Sequence, residues 1–192
     1  RPYDPRRPVV CFDERPCQLL GNVLMPIPMK PGRVEREDYH YKRNGTCVVL
    51  MAVEPLAGHR MVKVTQQKTK KDYAQFMQAL SVGYPEAERI VLVQDNLNTH
   101  NPSSFYEAFS AAEAFALAQR FEMVYTPKRA SWLNMAEIEL SALSKQCLDR
   151  RIADVQTLTS QVKSWTKRRN GLKVAIRWNF TKNDAREKFN RF

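Results

Sequence analysis

The sequence predicts an α/β fold: a mixed five-stranded sheet flanked by helices, in the order β-β-β-α-β-α-β-α-α. Three observations carry that expectation. Ile90, Val91, Leu92 and Val93 are apolar at successive positions, as in a strand covered on both faces. Residues 46–53 and 59–64 flank a turn containing Pro55 and Gly58, the pattern of an antiparallel hairpin. Tyr73, Phe76, Met77 and Leu80 recur at i, i+3, i+4 and i+7, the spacing of a helix with one buried side. A hairpin followed by alternating strands and helices implies both senses of strand pairing.

Residues 1–8, with three prolines, read as a linker or arm, and residues 9–192 as one domain. Residues 9–13 form a buried strand ending at Asp13. Residues 15–44 are polar and rich in proline and charge, so little regular structure is expected there. After the hairpin, residues 72–80 are helical and residues 89–95 make the fourth strand. Residues 102–120 are alanine-rich and helical, with Phe105, Phe109 and Ala112 on one side and Phe115 and Leu117 as further apolar anchors. Residues 121–125 are the fifth strand. Residues 133–151 form a helix with the apolar stripe Ala136, Leu140, Leu143 and Cys147. Asp154 suits the N-cap of a last helix that stops at Asn170-Gly171. The tail after Lys173 holds a short apolar piece at 174–176, then a basic end.

At 192 residues and 43% hydrophobic composition, the chain makes one ordinary domain with a full core. No apolar run approaches the roughly 20 residues that span a bilayer, and the start lacks a signal-peptide pattern. Its four cysteines have no metal or redox spacing and read as free thiols of a reducing cytoplasm. The net charge of +11, from 31 basic against 20 acidic side chains, favours nucleic acid as partner over a membrane surface.

Three acids occur where a two-metal nuclease needs them: Asp13 and Asp95 after apolar strands, and Glu137 at the start of a helix. In a mixed sheet the first and fourth strands can be neighbours, which brings both aspartates to one edge. Three converging carboxylates repel unless a cation compensates them, and hard oxygen donors select Mg²⁺ or Mn²⁺, with two ions expected. Glu137 competes with Glu139 and Glu122. Residues two apart on a helix differ by about 200° around its axis, so Glu137 and Glu139 cannot both reach one metal pair. Asn134 shares the side of Glu137 and could orient it. Glu14 points the opposite way from Asp13 on a strand. Asn98 and His100 follow Asp95 in a polar loop at the same edge, as supporting candidates. His40 and His59 read as ordinary.

The segments 12–14, 93–100 and 125–139, with Cys147 to Ile152 and Trp178 to Thr181, resemble the catalytic domain of bacterial transposases. The resemblance is to the insertion-sequence-630 branch of the mariner-type DDE superfamily. It implies an RNase H-like fold and a metal-binding triad of Asp13, Asp95 and Glu137. It further implies DNA cleavage at transposon ends, strand transfer into target DNA, a homodimer that pairs two ends, and work on the bacterial nucleoid. Lys128 and Arg129 would hold scissile-strand phosphates, and Lys167, Arg168 and Arg169 would track DNA. Trp132 would stack on a frayed base or cap the core beneath its loop. The 41 residues between Asp95 and Glu137 exceed the usual spacing, an excess the alanine-rich helix can absorb. Nothing before Asp13 reads as the helix-turn-helix domains usual in such proteins. Two rival expectations remain: an RNase H-fold nuclease or resolvase, and a catalytically inactive, domesticated DNA-binding remnant.

Overall fold

The alternation of apolar residues along the first strand sends Val10 and Phe12 to one side of the sheet and Cys11 to the other. In the computed structural model, which describes residues 3–128 and 130–189 (side chains of 182 and 189 excepted), that strand belongs to one five-stranded sheet. Its members are β1 (Val9–Asn22), β2 (Tyr41–Glu54), β3 (His59–Thr65), β4 (Ile90–Gln94) and β5 (Phe121–Tyr125), in the order β3-β2-β1-β4-β5. β1 pairs antiparallel with β2, and β2 with β3, whereas β1–β4 and β4–β5 are parallel.

The helices are α1 (Lys70–Val82), α2 (Ala111–Gln119), α3 (Ala136–Gln146), α4 (Val155–Gly171) and α5 (Lys182–Phe189). Tyr73, Phe76, Met77 and Leu80 of α1 pack with Ala114 and Leu117 of α2 on Phe12, Leu50 and Leu92. Leu140 and Leu143 of α3 pack with Leu158, Val162 and Trp165 of α4 on Val49 and Met51, covering the opposite side. The expected Asp154 cap accepts from the backbone N–H of Thr157 at 2.7 Å. No described helix is long and apolar enough to cross a membrane.

Several elements depart from expectation. β1 runs on to Asn22 instead of ending at Asp13, and residues 15–22 and 41–44 belong to a long antiparallel arm with β2. The composition there looks loop-like because β4 has ended, leaving β1 an edge strand beside β2, where Pro16 costs no ladder bond to a second neighbour. The arm's tip exposes Val23, Leu24, Met25, Ile27, Met29 and Val34. Residues 102–120 split into a 3₁₀ turn (Pro102–Glu107) and α2, because Ser110 and Glu113 form a capping box between them. Phe115 is then exposed rather than an anchor. The predicted helix over 133–151 is shorter at both ends, since Ser131–Leu133 is a separate 3₁₀ turn. α5 was not expected, although Thr181 and Asp184 carry the three-residue spacing of a capping box. The N-terminal arm is docked: Arg6 and Pro8 carbonyls accept from Glu88 and Val91 at 2.8 and 2.9 Å.

Gly58, between β2 and β3, has φ +64, and a Cβ there would lie 2.6 Å from the backbone carbonyl of Lys173. Gly58→Ala should therefore cost more than the roughly 1–2 kcal/mol of left-handed strain alone. Urea unfolding checks this, and an unchanged midpoint would refute the close approach.

Candidate catalytic site

Parallel pairing decides where the two aspartates meet. Cys11 lies opposite Val93, so two residues further along both strands Asp13 and Asp95 stand side by side. Asp95 follows the last residue of β4, as read from sequence. Asp13 lies inside β1, at the point where its β4 neighbour stops. Glu137 is in the first turn of α3, and it is exposed where Glu139 is buried.

Asp13 is buried, and its Oδ1 accepts the Glu14 backbone N–H at 2.8 Å. Burial pushes its carboxyl up to about 7. The charges of Glu137, Glu14 and Asp95 add to the rise, and the Glu14 N–H opposes it. Such a carboxyl has charge it cannot spread into water, the condition that a bound cation relieves. Asn134 is also buried, and its amide donates to Phe12 O at 2.7 Å and reaches Asp13 Oδ2 at 3.4 Å. Its Oδ1 accepts the Ala136 N–H at 3.2 Å and its carbonyl the Glu137 N–H at 3.1 Å, so Asn134 links Asp13 to the start of α3.

His100 is 2% exposed and lies between two acids, with Nδ1 2.5 Å from Asp95 Oδ1 and Nε2 2.9 Å from Glu14 Oε2. Burial alone would lower its pKa, but Glu14 and Asp95 outweigh that and hold it above the ordinary histidine value. Glu14 moves the other way. Burial would raise it, yet His100 and Lys68 keep it below the usual carboxylate range. Asn98 is exposed, and its carbonyl accepts from Asn101; no hydrogen bond joins its side chain to the acids among the described residues.

The competing acids have other tasks. Glu122 pairs with Arg7. Glu139 receives Arg60 through Nε at 2.7 Å and Nη2 at 2.9 Å, and Arg169 at 3.0 and 2.7 Å. Sequence reading missed this pair of guanidiniums; the signal available was an arginine, Arg60, within an apolar alternation. Arg169 is consequently a structural residue rather than part of a DNA track, whereas Lys167 and Arg168 are exposed. Trp132 packs edge-on against Phe180 of the tail, with Lys188 Nζ 4.5 Å above its ring. Lys128 is exposed, and Arg129 lies outside the described residues. A cavity of about 480 Å³ opens beside Asp95, walled by Leu97, Thr126, Pro127, Lys128 and Ser131.

Among the described residues no three His, Cys, Asp or Glu side chains close a metal site by themselves. The donors fit Mg²⁺ or Mn²⁺ in the open manner usual for these ions, which keep water and substrate oxygens in their shell. The family model of DDE superfamily endonucleases matches residues 8–159. The chain belongs to the DDE superfamily of endonucleases. This DDE domain is similar in structure to the catalytic domain of Mos1 mariner transposase, with TM-score 0.54 and 12% identity over 88% of this chain and 81% of that one. A pre-cleavage Mos1 transpososome gives 0.56 at 14%, covering 88% and 55%. The Mos1 mariner paired-end complex with Mn gives 0.56 at 15%, covering 89% and 51%. The DDE domain thus spans about half the length of the chains in those two complexes. At these identities the likeness concerns the fold, which is RNase H-like. No curated protein matches the chain in sequence.

Proposed function

We propose that this domain cuts DNA at transposon ends and joins the freed end to target DNA, as a mariner-type transposase of the insertion-sequence-630 branch. The observation that carries the reading is the register of β1 and β4, which sets Asp13 beside Asp95 while Glu137 is close enough to raise the Asp13 pKa. Asp13, Asp95 and Glu137 would hold two Mg²⁺ or Mn²⁺ ions. Bound there, the ions would supply an activated water or 3′-hydroxyl and charge for the leaving oxygen. Asn134 fixes Asp13 from the α3 side, and His100 fixes Asp95 from the α1 side. Lys128 borders the cavity beside Asp95, where it can meet a phosphate. Arg129, Lys167 and Arg168 extend the basic surface available to DNA.

A net charge of +11 supports DNA as partner, as do the endonuclease name of the family and the transpososome of its structural neighbour Mos1. We extend the paired-end arrangement of Mos1 to two copies of this chain holding two ends, in a bacterial cytoplasm.

The test is Mn²⁺-dependent nicking of plasmid DNA by the wild type and by Asp95→Ala. The variant should be slower by on the order of 10³-fold, about 4 kcal/mol of lost charge stabilisation. Equal activity sinks the site assignment, and equal inertness points to a DNA-binding remnant. Joining of a precleaved end to target DNA separates a transposase from an RNase H-fold nuclease or resolvase, which would cut without joining.

A further inference from the structure

The sheet places a fourth acid next to the three proposed ligands and turns it away from them. Glu14 follows Asp13 on β1, so its side chain lies with Phe12 on the α1 side. Its side chain is 6% exposed. Oε1 meets Lys68 Nζ at 2.6 Å, from the segment before α1. Oε2 lies 2.9 Å from His100 Nε2, where hydrogen bonding and charge both join the two groups. The other ring nitrogen of His100 is 2.5 Å from Asp95 Oδ1. A continuous chain therefore runs Lys68–Glu14–His100–Asp95.

Every remaining side of the imidazole is also held. Tyr73 stacks on it at 5.2 Å, and Phe12 meets it edge-on at 5.1 Å. Gln94 accepts from Tyr73 OH at 2.9 Å and donates to the His100 carbonyl at 3.0 Å. A ring packed on both sides and flanked by carboxylates at both nitrogens has one orientation. Asp95 sits just beyond the end of its strand, with a side chain one-third exposed, and besides His100 its Oδ1 accepts the Leu97 backbone N–H at 3.3 Å.

We infer that Glu14 binds no metal and is a positioning residue, acting through His100 to hold Asp95 by Oδ1, which the Leu97 N–H also meets, and leave Oδ2 for the cation. The inference rests on the proposed function, since it gives Asp95 the task of a ligand. It extends that reading to an acid and a lysine that the ligand set does not include. Groups behind a ligand typically alter metal affinity by about 10- to 100-fold.

The measurement is Mn²⁺ titration of the DNA-free full chain, read by the electron paramagnetic resonance of free Mn²⁺, alongside nicking rates at saturating Mn²⁺. Glu14→Ala should weaken Mn²⁺ binding by about 10- to 100-fold, with a nicking rate at saturation within a few-fold of wild type. Glu14→Gln should recover most of the affinity, because its amide oxygen still faces His100. Asp95→Asn should lose the binding. Should Glu14→Ala not fold, Glu14→Met, which keeps the bulk, takes its place with the same expectation.

Wild-type affinity in Glu14→Ala overturns the inference. Equal losses in Glu14→Gln and Glu14→Ala do so too, since loss of negative charge alone would then suffice. A Glu14→Gln variant as deficient as Asp95→Asn would make Glu14 a ligand and likewise end the inference. If Asp95→Asn itself binds Mn²⁺ like the wild type, the metal-site reading fails first, and that outcome is distinct from the others.

Discussion

Asp13→Asn is expected to unfold at a higher temperature than the wild type in metal-free buffer, and to have lost Mn²⁺-dependent nicking. The Asp13 carboxyl is pushed from an ordinary 3.8 to about 7 by burial and by neighbouring acids. An acid whose folded pKa lies above its unfolded one binds more protons when folded, so its contribution to stability falls as pH rises between the two values. Above about pH 7 the whole penalty is present, at most roughly 4 kcal/mol for a rise of about three units. At about 2–4 °C per kcal/mol for a chain of this size, the amide should raise the melting temperature by several degrees at pH 8. At pH 4 it should change little. Mn²⁺ should stabilise the wild type and not the variant. A variant that melts lower at pH 8, or a wild type indifferent to Mn²⁺, would show that the acids are not frustrated as described.

Glu139→Gln should do the reverse, lowering stability without touching the proposed ligands. Glu139 and Arg60 are each 1% exposed, and Arg60 also donates to the Gly58 carbonyl at 2.7 Å and to that of Val174. Removing one partner of a buried ion pair leaves an uncompensated charge and costs about 3–5 kcal/mol. The melting temperature should drop by roughly 10 °C or more. Burial by itself would raise the Glu139 pKa, but bonds and charge from Arg60 and Arg169 outweigh it and hold the pKa below the ordinary value. The stability it supplies is complete above the ordinary glutamate range and is lost as pH falls through the depressed folded value. The wild type and Glu139→Gln should therefore converge in melting temperature under acid. A neutral substitution, or a gap that persists at low pH, would count against the ion pair. So would a loss of Mn²⁺ affinity in the folded variant, which would mean that Glu139 and not Glu137 binds metal.

Much of the fold was legible because strand and helix patterns are local. The apolar run at Ile90 to Val93 and the alternation at His59 to Thr65 mark strands wherever they are placed, and Asp154 caps its helix within one turn. Helix geometry alone separated Glu137 from Glu139, and their different burial agrees. The reach of β1 past Asp13 was not legible. Main-chain pairing with β2 holds residues 15–22, and side-chain composition does not report it.

The sequence by itself determined the element order and the candidate acids Asp13, Asp95 and Glu137, because each follows from periodicity, chain neighbours and the motifs around it. Only the tertiary structure decided which charges are already paired. It assigned Arg169 to Glu139, Trp132 to Phe180 and Lys188, and Glu14 to His100 and Lys68. Those pairs join residues 30 to 86 positions apart in the chain. A charged side chain takes the partner that packing brings to it, and packing across a sheet is a property of the whole chain.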